Sequence, residues 1–163
     1  METVIAFMEE ISPHQIEELL SVSESLFGIN YHDFHYFKIT KNELVITACF
    51  DHKLIGFLKI ILEKDNKVRI DCIGVSKKFQ RKGIASSLLH HYFQNHHWTN
   101  HIYAIAWKTS DGIHAQKLFK KFEMKAVKNL GLIWKNKCNV DFQCPYKLST
   151  CNCEAILFKR DSI

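Results

Sequence analysis

The apolar segments "ELVITACF" (43–50), "KLIGFLKIIL" (53–62) and "KVRIDCIGV" (67–75) follow one another so closely that no helix fits between them. Strands joined this tightly run antiparallel, because a parallel return needs a crossover of about a dozen residues or more. Asp51, His52 and Lys53 join the first two as a hairpin, and Lys64 to Asn66 signal the next turn. An antiparallel sheet therefore stands at the centre of whatever this chain folds into.

The remaining elements arrange themselves around it. "TVIAFM" (3–8) fits a first strand. "SPHQIEELL" opens a helix with Ser12 as N-cap, Pro13 at the first helical position and Gln15 completing a capping box, and Ile16, Leu19 and Leu20 form its buried stripe. The aromatic run 24–37, "ESLFGINYHDFHYF", reads as a second short helix plus a loop. Ile84, Leu88, Leu89, Tyr92 and Phe93 recur at helical spacing and predict an amphipathic helix over 82–95. After the strand "HIYAIAW", Asp111 can cap a helix with Ala115, Leu118, Phe119 and Phe122 on one face and Lys117, Lys120 and Lys121 off it. "MKAVKNLGLIW" and "CEAILFKR" are two further strands. The expected fold class is α/β: one domain over residues 1–163, with a central mixed, mostly antiparallel twisted sheet flanked by helices.

The net charge of +5 suits an anionic partner without choosing one. "METVIAFMEEI" lacks a basic n-region, and no apolar run approaches the length of a membrane span, so the expectation is a cytoplasmic protein with no membrane association. Six cysteines in that compartment read as reduced thiols or metal ligands rather than a disulfide framework.

"CIGVSKKFQRKGIASSLLHHYF" (72–93) passes from a strand through a cationic turn into a helix with no ordinary capping side chain. A helix N-terminus offers unpaired N–H groups and the positive end of the helix dipole. Gly83 lets backbone approach a ligand closely, while Lys77, Lys78, Arg81 and Lys82 add charge complementary to phosphate. Neither G-x-x-x-x-G-K-[ST] nor G-x-G-x-x-G is present, which disfavours a P-loop nucleotidase or a Rossmann dehydrogenase. A solvated basic loop before an ordinary helix is the other reading.

The chain resembles the GNAT superfamily of acyl-CoA-dependent N-acyltransferases, whose signature is a strand followed by Q/R-x-x-G-x-G/A at a helix start. Gln80, Gly83 and Ala85 fill the named positions, and the order of strands and helices is similar over most of the chain. The resemblance implies that acetyl-CoA binds with its pyrophosphate on the backbone of Arg81, Lys82, Gly83, Ile84 and Ala85. Its pantetheine arm would pair with backbone around Ile73 and Val75, in a gap where that strand splays from "HIYAIAW".

Acyl transfer to an amine needs a group to take the amine's proton and a proton for the departing thiolate. Asp71 is the expected general base, on the alternating face of Ile73 and Val75, with a strand-edge salt bridge to Arg69 as its structural reading. Where the family pattern places a tyrosine, "AQKLFKKFEM" has Phe119, and Glu123 and Met124 replace the pattern's glycine and phenylalanine, which leaves Tyr103, Tyr146 or solvent as acid. Cys72 is expected on the opposite face from Asp71, buried and inert.

Cys138, Cys144, Cys151 and Cys153 lie close in sequence, and four thiolates can hold zinc tetrahedrally. Lys147 breaks the C-x-x-C pair, so free cysteines in a late hairpin are expected and no metal is assigned. The histidines of "LHHYFQNHHWTNH" lack metalloprotease spacing and read as a solvated helix end. The loop "NYHDFHYF" reads equally as an acceptor-pocket wall or as a core seal. The expected function is N-acetyl transfer to a primary amine of a small molecule or peptide, with a homodimer compatible and nucleic acid disfavoured. A non-catalytic CoA-binding or regulatory module, and a basic nucleic-acid-binding module using Lys77, Lys78, Arg81 and Lys82, are the alternatives.

Overall fold

The computed structural model describes residues 2–96, 101–146 and 151–160. Strands β1 (Val4–Met8), β2 (Glu43–Phe50), β3 (Lys53–Leu62), β4 (Lys67–Val75), β5 (His101–Thr109), β6 (Gly112–Ile113), β7 (Lys125–Gly131) and β8 (Glu154–Arg160) form one sheet of order β1-β2-β3-β4-β5-β8-β7, with the short β6 paired to β5. Helices α1 (Pro13–Phe27), α2 (Ile84–Asn95) and α3 (Gln116–Lys121) pack on it.

The meander β2-β3-β4 is antiparallel throughout. Asp51 and His52 both take positive φ, +51° and +61°, as a tight hairpin turn requires, and Asp65 and Asn66 do the same at the second turn. Ser12 caps α1 in the reciprocal capping box with Gln15, and Pro13 occupies the first turn. The helix then runs seven residues past Leu20 to Phe27. The second short helix expected within 24–37 is therefore absent: its first part is the end of α1, Gly28 stops it, and only a single 3-10 turn, Phe34–Phe37, follows. Ser and Glu within 21–25 do not interrupt a helix whose Val22 and Ser23 are buried against the sheet.

Two hydrophobic layers sandwich the sheet. Ile16, Leu19 and Val22 of α1 pack with Phe37, Phe57 and Cys72 on one face. Leu88, Leu89, Tyr92 and Phe93 of α2 and Phe119 of α3 pack with Ile46, Leu58 and Ile70 on the other. The helix expected from an Asp111 cap begins later, with Ala115 at its start and no side-chain cap, because Asp111 sits in the β5–β6 turn beside Thr109. No helix among the described residues is long and apolar enough to cross a membrane.

Two irregularities of the sheet create a site. β5 is parallel to β4, but the two pair only over Lys67–Ile70 and His101–Ala104, beyond which the strands part. At that point β4 also bulges: Lys59 faces Cys72 while Ile60 faces Ile70, so Asp71 is an extra residue. A bulge resets alternation and re-aims the side chains that follow it.

Candidate functional site

On the α2 face, β4 ends at Val75 and the chain passes through a short 3-10 turn, Lys77–Phe79, into α2. Gln80 Nε2 donates to the Val75 carbonyl over 2.9 Å, which ties this loop to the strand end. Arg81 and Gly83 then take positive φ, +60° and +82°, and Gly83 is the N-cap of α2, with no side-chain cap bond. The first intrahelical bond in this turn is Ser87 N–H to the Gly83 carbonyl, so the amides of Ile84, Ala85 and Ser86 precede the helix's own acceptors.

A Cβ built on Gly83 would meet nothing within 4 Å, so the helix end opens onto space. That space is a groove of about 400 Å³ in which Val75, Gln80, Arg81, Gly83, Ile84 and Ala85 meet side chains of α3 and the residues before it. Ile73 packs into the α2-side core, and Lys82 lies 5.1 Å over the Phe79 ring; neither lines the groove. His114, Lys117 and Lys121 do line it, and sequence reasoning had placed the two lysines only as the solvated side of a helix. A neighbouring hollow of about 480 Å³ shares Ser86 and Lys121 with it and is walled by His90 and His91. The strand end, the uncapped amides and cations from two separate segments converge on one groove, which can hold a diphosphate.

On the α1 face, the bulge turns Asp71 toward the 3-10 turn at 34–37. Tyr36 donates its hydroxyl to Asp71 Oδ2 over 2.5 Å, and Arg69 reaches Oδ1 at 3.2 Å. Asp71 was expected on the face of Ile73 and Val75 and opposite Cys72. Its partner Tyr36 packs instead with the cluster that contains Cys72, whereas Ile73 and Val75 belong to the α2-side core. The physical reason is the extra residue in β4, which strict alternation cannot anticipate. The expected salt bridge to Arg69 is formed, and Cys72 is buried, its thiol pushed up by burial and by the Asp71 charge.

The surroundings of Tyr36 are closely tied. Its ring stacks on His32 at 3.7 Å, and His32 Nδ1 bonds the Ser23 hydroxyl at 2.7 Å. Burial, with the Lys59 charge, lowers His32 to about 3, so the imidazole is neutral at physiological pH. Lys59 Nζ bonds the Tyr36 carbonyl, sits 4.2 Å over the Tyr36 ring and pairs with Glu43 at 3.1 Å. Burial and the neighbouring Cys72 and Asp71 raise the Tyr36 hydroxyl well above the usual phenol range, so it stays a donor.

Tyr103 donates to Glu63 over 2.7 Å, and burial with that bond raises it to about 12. Tyr146 bonds His114 Nε2 at 3.2 Å, at the rim of the groove. Phe119, at the position of the family's tyrosine, is buried against Phe158 and brings no hydroxyl. Sequence reasoning missed Tyr36, although the aromatic loop was singled out; which of its rings faces Asp71 depends on a contact across 35 residues. Of the histidine-rich run, 97–100 lies outside the described residues, as does Lys147; His91 and His96 pack on Phe7.

The model of the acetyltransferase (GNAT) family matches residues 8–124. No curated protein matches the chain. Among solved structures, an aminoglycoside 6'-N-acetyltransferase complexed with coenzyme A is similar at a TM-score of 0.72 and 11% identity, with 96% of each chain covered. The ribosomal-protein-S18-alanine N-acetyltransferase from Escherichia coli gives 0.72 at 12% identity, over 97% of this chain and 92% of that one. Arabidopsis thaliana NAA60 in complex with acetyl-CoA gives 0.68 at 17% identity, over 96% and 98%. At these identities the structural likeness carries the fold, and that fold is shared by proteins whose acceptors differ widely.

Proposed function

The chain belongs to the acetyltransferase (GNAT) family, and from that premise we propose that it transfers an acetyl group from acetyl-CoA to a primary amine of a small molecule or peptide. The observation that carries this reading is the uncapped start of α2, with Gly83 in the left-handed region opening onto a groove beside the parted strands β4 and β5. The residues fit the cofactor: Ile84, Ala85 and Ser86 amides take the pyrophosphate, Arg81, Lys117 and Lys121 neutralise it, and backbone near Ile73 and Val75 aligns the pantetheine arm. When bound, acetyl-CoA supplies an acyl thioester.

The opposite face receives the amine. Asp71 accepts the proton of the incoming ammonium, directly or through water, while the Tyr36 hydroxyl and Arg69 hold its carboxylate in place. His32, neutral and stacked on Tyr36, keeps that ring in position. The described phenol bonded to the proposed base is Tyr36, so proton supply to the leaving thiolate falls to Tyr36 or to solvent rather than to α3.

Calorimetric titration with acetyl-CoA tests the cradle, and Gly83→Glu should abolish the binding seen in the wild type, since its side chain would enter the groove and its backbone is strained at φ +82°. Asp71→Asn should lower turnover on an accepted amine by about 10²-fold or more with acetyl-CoA affinity unchanged. A wild-type chain that does not bind acetyl-CoA would sink the reading. A second reading, a non-catalytic CoA-binding module, is favoured by Phe119; binding without any amine-dependent release of CoA, across a panel of amines, would select it.

A further inference from the structure

Between β7 and β8 the chain makes a long excursion, residues 132–153, whose described part holds no helix or strand beyond one isolated bridge, Cys138 to Phe142. Connections longer than about 12–15 residues without structure of their own are uncommon in compact domains and need something to hold them. Inside this one lie four of the chain's six cysteines, Cys138, Cys144, Cys151 and Cys153, each less than a tenth exposed and all in one cluster separate from the two sheet cores. Trp107, Trp134, Tyr31 and Tyr146 pack around it.

The thiols touch one another. Cys138 is hydrogen-bonded with Cys144 and Cys151, and Cys153 with Cys151. Burial first, then the neighbouring thiols, raise Cys138 to about 12 and Cys153 to about 11, so the metal-free cluster is a set of protonated, mutually bonded thiols. All six cysteines are free. Among the described residues no three His, Cys, Asp or Glu side chains are already drawn to coordination geometry, and thiols bonded through their protons have no reason to be. A hydrophobic core would be served by Leu or Val at these positions. Four sulfurs brought from two backbone segments into one dry cluster are the donor set of a tetrahedral, thiophilic ion.

We propose that Cys138, Cys144, Cys151 and Cys153 form a structural tetrathiolate site for zinc(II) that staples the β7–β8 excursion. One Zn²⁺ enters and four thiol protons leave, with no change of oxidation state. The local backbone suits the role: Asn139, at φ +61°, turns the chain and its side chain accepts from the Cys144 amide at 2.9 Å, so Cys138 and Cys144 are brought together by a loop that folds back on itself. The staple also secures the wall of the site on the α1 face. Gln143 N–H bonds the Ile29 carbonyl at 2.9 Å, and the cluster packs on Tyr31, in the same loop as His32 and Tyr36.

The test uses the full chain and reads metal rather than acetyl transfer. Protein purified under reducing conditions and offered zinc should retain one Zn²⁺ per chain after desalting. Cobalt(II) in its place should show the intense visible bands of tetrahedral thiolate coordination. Cys144→Ser with Cys153→Ser should lose both signals, whereas Cys49→Ser, on β2, keeps them. Should the double variant fold poorly, thiol titration of the wild type decides: zinc should protect four thiols from a mercurial reagent, and each equivalent of metal should leave as those four are modified. Absence of stoichiometric zinc, zinc kept by a folded double variant, or disulfides among these cysteines in the reduced preparation would each overturn the proposal.

Discussion

Lys59 is 2% exposed in the middle of β3, and an ammonium in that position is tolerable only because everything around it is arranged to receive it. Glu43 on the neighbouring strand supplies the countercharge at 3.1 Å, and the Tyr36 carbonyl and ring occupy the remaining directions. Burial alone would raise Glu43, but the bonds from Lys59 and Thr40 outweigh it and hold the carboxyl below its ordinary range. Glu43→Gln leaves the cation buried without its partner, and denaturant unfolding should show a loss of about 2–3 kcal/mol. Adding Lys59→Met removes the stranded charge and should recover much of that loss, a non-additivity that a simple loss of packing would not produce. Since Lys59 also anchors Tyr36, the double variant should recover stability without recovering full turnover.

At the scale of elements, the end of α1 connects the two faces of the argument for a site. Gly28 has φ +106° and ψ 156°, a conformation essentially reserved to glycine, and its N–H closes the helix on the Glu24 carbonyl. It is also pressed against the cysteine-bearing loop: a Cβ there would stand 1.9 Å from the Gln143 carbonyl oxygen. Gly28→Ala therefore combines backbone strain with a clash against backbone, and should destabilise the protein by more than about 2 kcal/mol in thermal or denaturant unfolding. Gly83 makes a contrasting case. Its positive φ is strained for any other residue, yet its Cβ direction is open, so substitution there should weaken ligand binding out of proportion to stability.

For the whole molecule, the sheet divides into a paired centre and two exposed edges. β3 is bonded along both sides, with Val45, Phe57, Leu58 and Ile60 fully buried around it, whereas β7 closes the sheet with a run of exposed residues that includes Val127. Amide hydrogen exchange should be slowest in β3 and fastest in β7, spanning most of the range between global and local opening. Uniform protection across the sheet would contradict that division. The parting of β4 and β5 sits between these regimes, where Val75, Ile84 and Leu88 of the α2-side core give way to the groove.

Local signals were enough for the elements whose causes are local. The Ser12, Pro13 and Gln15 box, the turns at Asp51–His52 and Asp65–Asn66, and the helix start without a capping side chain at Gly83 all follow from residues within a few positions of one another. What only the tertiary structure decided are the contacts made between distant segments. The extension of α1 to Phe27 depends on Val22 and Ser23 finding the sheet, and the groove's second set of cations depends on α3 packing beside α2. Asp71 faces Tyr36 because β4 carries one residue more than β3 can pair, and a bulge is a property of two strands in register rather than of either alone.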